Sequence, residues 1–240
     1  MDFYPLRYMS TGYVFIHPDD DCDKVVDALL ETDYNEEFCL AFDFDEVFTG
    51  RLMESGFLVM SMVLPSLPFY ISLPKLHLER SVLFFPDLHI KKNIHPFLSR
   101  YELRVDTDFD IILDKCVQTH GDDWLTPPLV EALKSLHHRN DLPVKPVSFA
   151  VYREGELKAG EIGVAAGRVY TSYSGYYEEN NAGTVQMILM TKWLENTGFD
   201  FLDLGMPMDY KTALGAQNIE PRRFVELFRS ARYSNSFFMV

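Results

Sequence analysis

Apolar and polar positions alternate most regularly between residues 147 and 177. Val147 to Tyr152 alternates as a strand, Arg153-Glu154-Gly155-Glu156 breaks the pattern as a turn, and Leu157 to Ala165 returns. Ala166-Gly167 turns again, and Arg168 to Tyr177 reads as a third strand. From Thr184 to Glu195 the period changes. Met187, Leu189, Met190 and Leu194 give one side of a helix that Gly198 ends, and Phe199 to Leu204 is a further strand. Earlier in the chain, Ser81 to Phe85 and Leu103 to Val105 read as strands. Phe109 to Gln118 and Pro127 to His138 read as amphipathic helices, the second opened by prolines in its first turn. Near the start, Tyr13 to Ile16 is a short strand. Asp19 to Asp21 then supply capping carboxylates, and part of a solvated face, for a helix carrying Val25, Val26, Leu29 and Leu30. Arg222 to Phe228 is a last short helix. A meander, a helix and then another strand predict an α+β layout.

The longest apolar run, Gly56 to Leu73, is interrupted by Pro65 and Pro68 before it reaches the roughly 20 residues of a spanning helix, so it reads as buried strand-like chain. Met1 to His17 lacks the basic start and long apolar core of a signal peptide. A soluble, cytoplasmic protein is expected. The 240 residues are 47% hydrophobic and 24% charged, enough apolar surface to offset the entropy of ordering. Charge subdivides them. Residues 1–80 hold 5 Lys+Arg and 15 Asp+Glu, ten of the chain's fourteen net negative charges. The expected organisation is a small acidic N-terminal α/β domain over residues 1–75 and a larger domain over 76–240, with the break between Pro65 and Arg80. The negative balance excludes a general nucleic-acid-coating protein but leaves room for a local basic contact. Cys22, Cys39 and Cys116 are odd in number and far apart, which fits a reducing compartment. His89, His95, His120, His137 and His138 show no metal spacing, and no metal is expected.

Five collinear blocks then carry a resemblance. They are ERSVLFFPDLHIKKNIHPF (79–97), YELRVDTDFDIILDKCV (101–117), DDWLTPPLVEALKSLH (122–137), YREGELKAGEIGVAAGRVY (152–170) and DYKTALGAQNIEPRRF (209–224). Together they resemble the leucyl/phenylalanyl-tRNA–protein transferases over about Glu79 to Arg232, with a weaker extension back to about Phe42. The resemblance implies an acyltransferase fold of the N-acetyltransferase (GNAT) type. It also implies transfer of Leu or Phe from aminoacyl-tRNA onto the N-terminal Arg or Lys of a protein, marking it for N-end-rule degradation. The implied partners are the aminoacyl-tRNA 3′ end and a protein or peptide with such an N-terminus, with no cofactor, no DNA and no membrane, the chain acting as a monomer. Amide formation of this kind needs a proton acceptor, a dry pocket and help for an oxyanion.

The family's proton-handling motifs are altered. Its GESMFS strand reads SYSGYY (172–177), placing Tyr173 at the Glu position, beside Ser174. Its (I/L)D.Q motif reads LDLG (202–205), keeping Asp203 but putting Gly205 at the Gln position. The resemblance therefore points to Asp203, Tyr173, Ser174 and Gly205 as the catalytic positions, with Asp203 the remaining proton handler. It points to Trp124, Glu161, Tyr170, Met190, Leu194 and Met60 as substrate-binding positions. Glu161 stands where relatives carry a large apolar residue, and Met60 where they carry Trp. Lys91, Lys92, Lys211, Arg222 and Arg223 are candidates for the tRNA contact. Each of these has a plainer reading as well: Trp124, Met190 and Leu194 as core, Tyr173 as a packing aromatic, the cations as a solvated face. Two alternatives to the transferase are a non-catalytic descendant that binds peptide N-termini or tRNA, and an acyl-CoA-dependent N-acetyltransferase. The second needs a glycine-rich pyrophosphate cradle after the third meander strand, where this chain reads EENNAG (178–183).

Overall fold

The computed structural model describes residues 4–32, 34–63, 69–121 and 123–233. In chain order the elements are β1 (Arg7–Tyr8), β2 (Val14–Phe15), α1 (Cys22–Glu31), α2 (Glu46–Glu54), β3 (Leu58–Val63), β4 (Tyr70–Lys75) and β5 (Arg80–Leu83). A 3-10 turn, Phe85–Asp87, leads to α3 (His95–Leu98), β6 (Glu102–Val105), α4 (Phe109–His120) and α5 (Pro127–His138). The meander follows as β7 (Val144–Arg153), β8 (Glu156–Ala166) and β9 (Val169–Tyr177). The chain closes with α6 (Ala182–Asn196), β10 (Phe201–Asp203), α7 (Asp209–Ala213), β11 (Gln217–Ile219) and α8 (Pro221–Arg232).

Seven strands form one sheet in the order β11-β5-β10-β9-β8-β7-β6. All its pairs are antiparallel except β9 with β10, which α6 joins as a crossover. Helix α6 covers one face, packing Met190 and Leu194 on Phe149, Ala165, Tyr170 and Leu202. Helices α4 and α5 and the N-terminal segment cover the other. Ile112, Leu129 and Leu133 share a cluster there with Val25, Leu52 and Phe57, and with Phe224 and Phe228 of α8. That cluster runs without a break through both parts of the chain. Arg232 at the end of α8 ion-pairs with Asp23 of α1 and donates to the Glu54 carbonyl at 2.7 Å.

The α+β layout and the three-strand meander agree with the pattern in the sequence. Local differences have local causes. Asp21 accepts from Lys24 N and caps α1, but Asp20 is buried and paired with Arg7 rather than solvated. The strand expected over Tyr13 to Ile16 narrows to two residues, paired with β1 on one side and bridged to Leu40 on the other, and the one expected over Phe199 to Leu204 shortens to Phe201–Asp203. Helix α2 carries only a weak apolar stripe and shows in the sequence only as the Asp45 cap, whose carboxylate accepts from Val47 N and Phe48 N. The apolar run contributes the ribbon β3–β4, and its interrupting prolines, Pro65 and Pro68, lie outside the described residues. No helix among the described residues is long and apolar enough to cross a membrane.

Candidate active site

The C-terminal end of β10 lies beside the first half of β9, which brings the altered motifs together. Asp203 and Thr171 sit side by side in the parallel pair, and Val82 of β5 flanks Asp203 on the other side. The Asp203 carboxylate is fully buried and receives four donors. Arg80 reaches it twice, Nε to Oδ1 at 2.8 Å and Nη2 to Oδ2 at 2.6 Å. Thr171 Oγ1 donates to Oδ2 at 2.9 Å and Gly205 N to Oδ1 at 3.0 Å. Arg80, equally buried, lies over the ring of Phe224, 4.3 Å from its centroid. These four donors occupy both carboxylate oxygens and tie β10 to β5, to β9 and to the backbone at Gly205. The geometry around Asp203, expected from the sequence to handle the proton, is that of a buried anchor.

Tyr173 occupies a β-bulge. Ile162 pairs with Ser174 and Gly163 with Ser172, so Tyr173 is the extra residue and its side chain is re-aimed. It turns to the face that carries the N-terminal segment, and its hydroxyl oxygen accepts from Val59 N of β3 at 2.9 Å. Burial pushes its phenol well above the ordinary range, so it stays neutral and structural. Ser174 is buried, its hydroxyl without a hydrogen-bond partner, and its carbonyl accepts from Cys116 Sγ at 3.4 Å. Gly205 adopts φ +69, and a Cβ there would lie 3.2 Å from Leu58 Cδ1 and 3.6 Å from His77 Nε2. A glutamine at this position would be strained by the left-handed backbone, at about 1–2 kcal/mol, and would press its Cβ on Leu58.

The residues expected around the amino-acid side chain divide between the two faces of the sheet. Tyr170, Met190 and Leu194 are fully buried on the α6 face, in one cluster with Phe149. Gly163 lets Tyr170 lie against β8, since a Cβ there would fall 2.4 Å from the phenol oxygen. Trp124 packs on the opposite cluster, its carbonyl accepting from Ser61 N and Ser61 Oγ, both at 2.9 Å, next to half-buried Met60 on β3. Glu161 lies on the α6 face. It is 2% exposed, flanked by Phe149 on β7 and Gly175 on β9. Its Oε2 receives Gln186 Nε2 at 3.4 Å, and its Oε1 has no hydrogen-bond partner. Burial raises its pKa to about 7, offset in part by Ser172, Gln186 and the charge of Lys211.

The cations expected to meet tRNA differ in their surroundings. Lys91 and Lys92 are exposed, Arg223 pairs with Glu226 at 3.3 Å, and Arg222 donates to the Leu30 carbonyl. Lys211 is a correction. It is buried, with Nζ on the Leu204 and Met206 carbonyls at 2.5 and 2.8 Å, because α7 folds it back under β10. Burial also lowers its pKa. One site residue escaped the sequence pattern. His77, in the link from β4 to β5, is 3% exposed and neither ring nitrogen has a hydrogen-bond partner. Burial, then the charges of Arg80, Lys75 and Lys211, hold its pKa near 2. Its place in KLHLER (75–80), just ahead of the first matched block, was the available signal. Among the described residues no group of three or more His, Cys, Asp or Glu is placed to hold a metal ion.

Comparison with known proteins adds to this geometry. A family model described as leucyl/phenylalanyl-tRNA protein transferase matches residues 82–229, which span β5 to α8. A protein of Pseudomonas putida named leucyl/phenylalanyl-tRNA–protein transferase is 32% identical over 152 residues, 61% of this chain and 66% of its own length. One of Azotobacter vinelandii with the same name is 30% identical over 150 residues, covering 60% and 65%. The chain thus aligns with just under two thirds of the length of these relatives. Among solved structures, the C-terminal domain of a putative lysylphosphatidylglycerol synthetase from Agrobacterium fabrum superposes with a TM-score of 0.42 at 10% identity, over 94% of this chain and 75% of that one.

Proposed function

The chain belongs to the leucyl/phenylalanyl-tRNA protein transferase family, and we propose that it transfers an amino acid from a charged tRNA to the N-terminal amine of a protein beginning with Arg or Lys. Its products would enter N-end-rule degradation in the cytoplasm. The observation that carries this reading is the family match itself, which takes in every strand around Asp203 and Glu161.

In this reaction the α-amine attacks the ester carbonyl of the aminoacyl group. A C–N bond forms, the C–O bond to the ribose breaks, and the proton leaving the amine balances the one gained by the ribose hydroxyl. Asp203, saturated by four donors, serves by fixing Arg80, Thr171 and the Gly205 backbone at the end of β10. Holding amine and ester in register is the larger part of what such a site supplies, since well-oriented partners gain about 7–11 kcal/mol. An acyl-CoA reading gains nothing from the loop 178–183. Glu179 there accepts from Tyr101 at 2.6 Å and pairs with Arg153 at 2.7 Å, leaving carboxylates where a pyrophosphate needs donors.

The test is transfer of a labelled amino acid from individually charged tRNAs to peptides starting with Arg or Lys. Transfer with at least one aminoacyl-tRNA is expected, and none with any of the common ones refutes the proposal. One observation favours a second reading, a family member that binds without transferring. Tyr173 spends the family's Glu position on a bond to the N-terminal strand. Binding of aminoacyl-tRNA with no product in the same assay selects it.

A further inference from the structure

Glu161 combines three properties that a purely structural carboxylate does not need. It is 2% exposed in the middle of β8, on the face that holds Tyr170, Met190 and Leu194. Its cross-strand neighbour on β9 is Gly175, exposed and without a side chain to cover it. Two polar atoms at this place lack hydrogen-bond partners, Glu161 Oε1 and the Tyr170 hydroxyl.

The hydroxyls of Ser172 and Tyr170 lie near enough to the carboxylate to favour its ionised form, yet neither makes a hydrogen bond of normal geometry to Oε1. Gln186 reaches only Oε2, at 3.4 Å, and lies as close to Met190 Sδ, at 3.5 Å. Lys211 acts on Glu161 through its charge alone, its ammonium being committed to the carbonyls of Leu204 and Met206. Tyr210, 52% exposed, feels the Glu161 charge and marks the side nearest solvent. A buried carboxylate oxygen without a well-formed hydrogen bond is costly, and the cost falls when an N–H or O–H is brought to it in good geometry.

We infer that the aminoacyl group taken at this site carries a side chain with a hydrogen-bond donor, recognised by Glu161, and not the hydrocarbon side chain of Leu or Phe. The inference rests on the transferase reading for the identity of the ligand as an aminoacyl group. Its physical ground is an asymmetry. A pocket built to bond a donor rejects the isostere that lacks it far more strongly than an apolar pocket rejects an added hydroxyl, because the unpaired buried group is left behind. Neutral donors (Tyr, Thr, Asn) and cationic ones (Lys, Arg) share this chemistry. With an approximate pKa of 7, Glu161 would ionise to meet a cation, so binding of the cationic group alone would strengthen as pH rises through that value.

The experiment is calorimetric titration of the full chain with non-hydrolysable, amide-linked 3′-aminoacylamino-adenosines in isosteric pairs, Tyr against Phe and Thr against Val, with Lys and Arg in a further arm run from pH 6 to 8. The donor-bearing member of a pair is expected to bind at least about tenfold tighter. Glu161→Leu should abolish or invert that preference. Glu161→Gln, which keeps the shape and one acceptor oxygen, should retain Tyr over Phe while removing the pH dependence of the cationic arm. Equal or tighter binding of Phe and Val overturns the inference, as does no binding of any analogue, or an unchanged ranking in both variants. It is also overturned if the variants change only the choice of peptide N-terminus in the transfer assay, for then the carboxylate serves the acceptor. Preferential binding without transfer refutes the transferase reading and leaves this inference standing. Efficient transfer of Leu or Phe alone does the reverse.

Discussion

Removing the Asp203 carboxylate should unfold much of the protein's stability margin, while removing the whole ion pair should not. Asp203 is 0% exposed and Arg80 1%, so neither charge has water to fall back on. Asp203→Ala leaves a buried guanidinium without its anion, a loss of about 3–5 kcal/mol for a broken buried pair. The Thr171 hydroxyl and Gly205 N–H lose their acceptor as well, each worth about 1 kcal/mol. The total, about 5–7 kcal/mol, compares with roughly 5–15 kcal/mol for a whole domain. The double substitution Arg80→Met with Asp203→Leu removes both charges and refills the volume, and should come within about 2 kcal/mol of the parent protein. Urea unfolding followed by circular dichroism measures both. At a slope of about 3 kcal/mol per molar, the single variant moves the midpoint down by about 2 M. If Asp203→Ala costs less than about 1 kcal/mol, or as little as the double variant, the anchor assigned to Asp203 is refuted.

Three further outcomes follow from the same geometry. Glu161, raised to about 7 from an ordinary 4.5 by burial, contributes stability that is complete below about pH 4.5 and lost as pH rises through 7. Unfolding titrations at pH 5 and 8 should therefore show Glu161→Gln gaining about 2.5 kcal/mol on the parent between those limits, and parallel curves refute the shift. Tyr173→Phe removes the acceptor of Val59 N, which is buried on β3, and should cost about 1–3 kcal/mol with faster amide exchange at Val59; unchanged exchange would contradict the bridge. Gly205→Ala, at φ +69 and against Leu58, should lose about 1–2 kcal/mol in thermal or urea unfolding, whereas a neutral effect would mean the glycine is dispensable.

Much of the frame was legible because it depends on short-range pattern. The meander shows as three alternating runs whose turns hold Gly155 and Gly167, and α6 as a period of 3.6 ended by Gly198. The family blocks carried β5 through α8. Helix α2 was not legible, since its few apolar positions gain meaning only against α5 and β7. His77 was not either, because an imidazole flanked by leucines looks the same whether it is buried without partners or solvated.

The candidate site shows where sequence ends and tertiary structure begins. The resemblance read in the sequence put the expected chemistry on two motifs, with Tyr173 and Gly205 at the family's Glu and Gln positions and Glu161 at an apolar one. Residue identity settles such facts. Only the fold decided which face of the sheet each residue serves. One bulge sends Tyr173 to the N-terminal strand, while strand alternation leaves Glu161 under α6 with an unpaired oxygen. Only the fold supplied Arg80, 123 residues away, to hold Asp203, and drew Lys211 off the surface. The physical reason is that a side chain's role depends on its partners and its access to water, and long-range contacts set both.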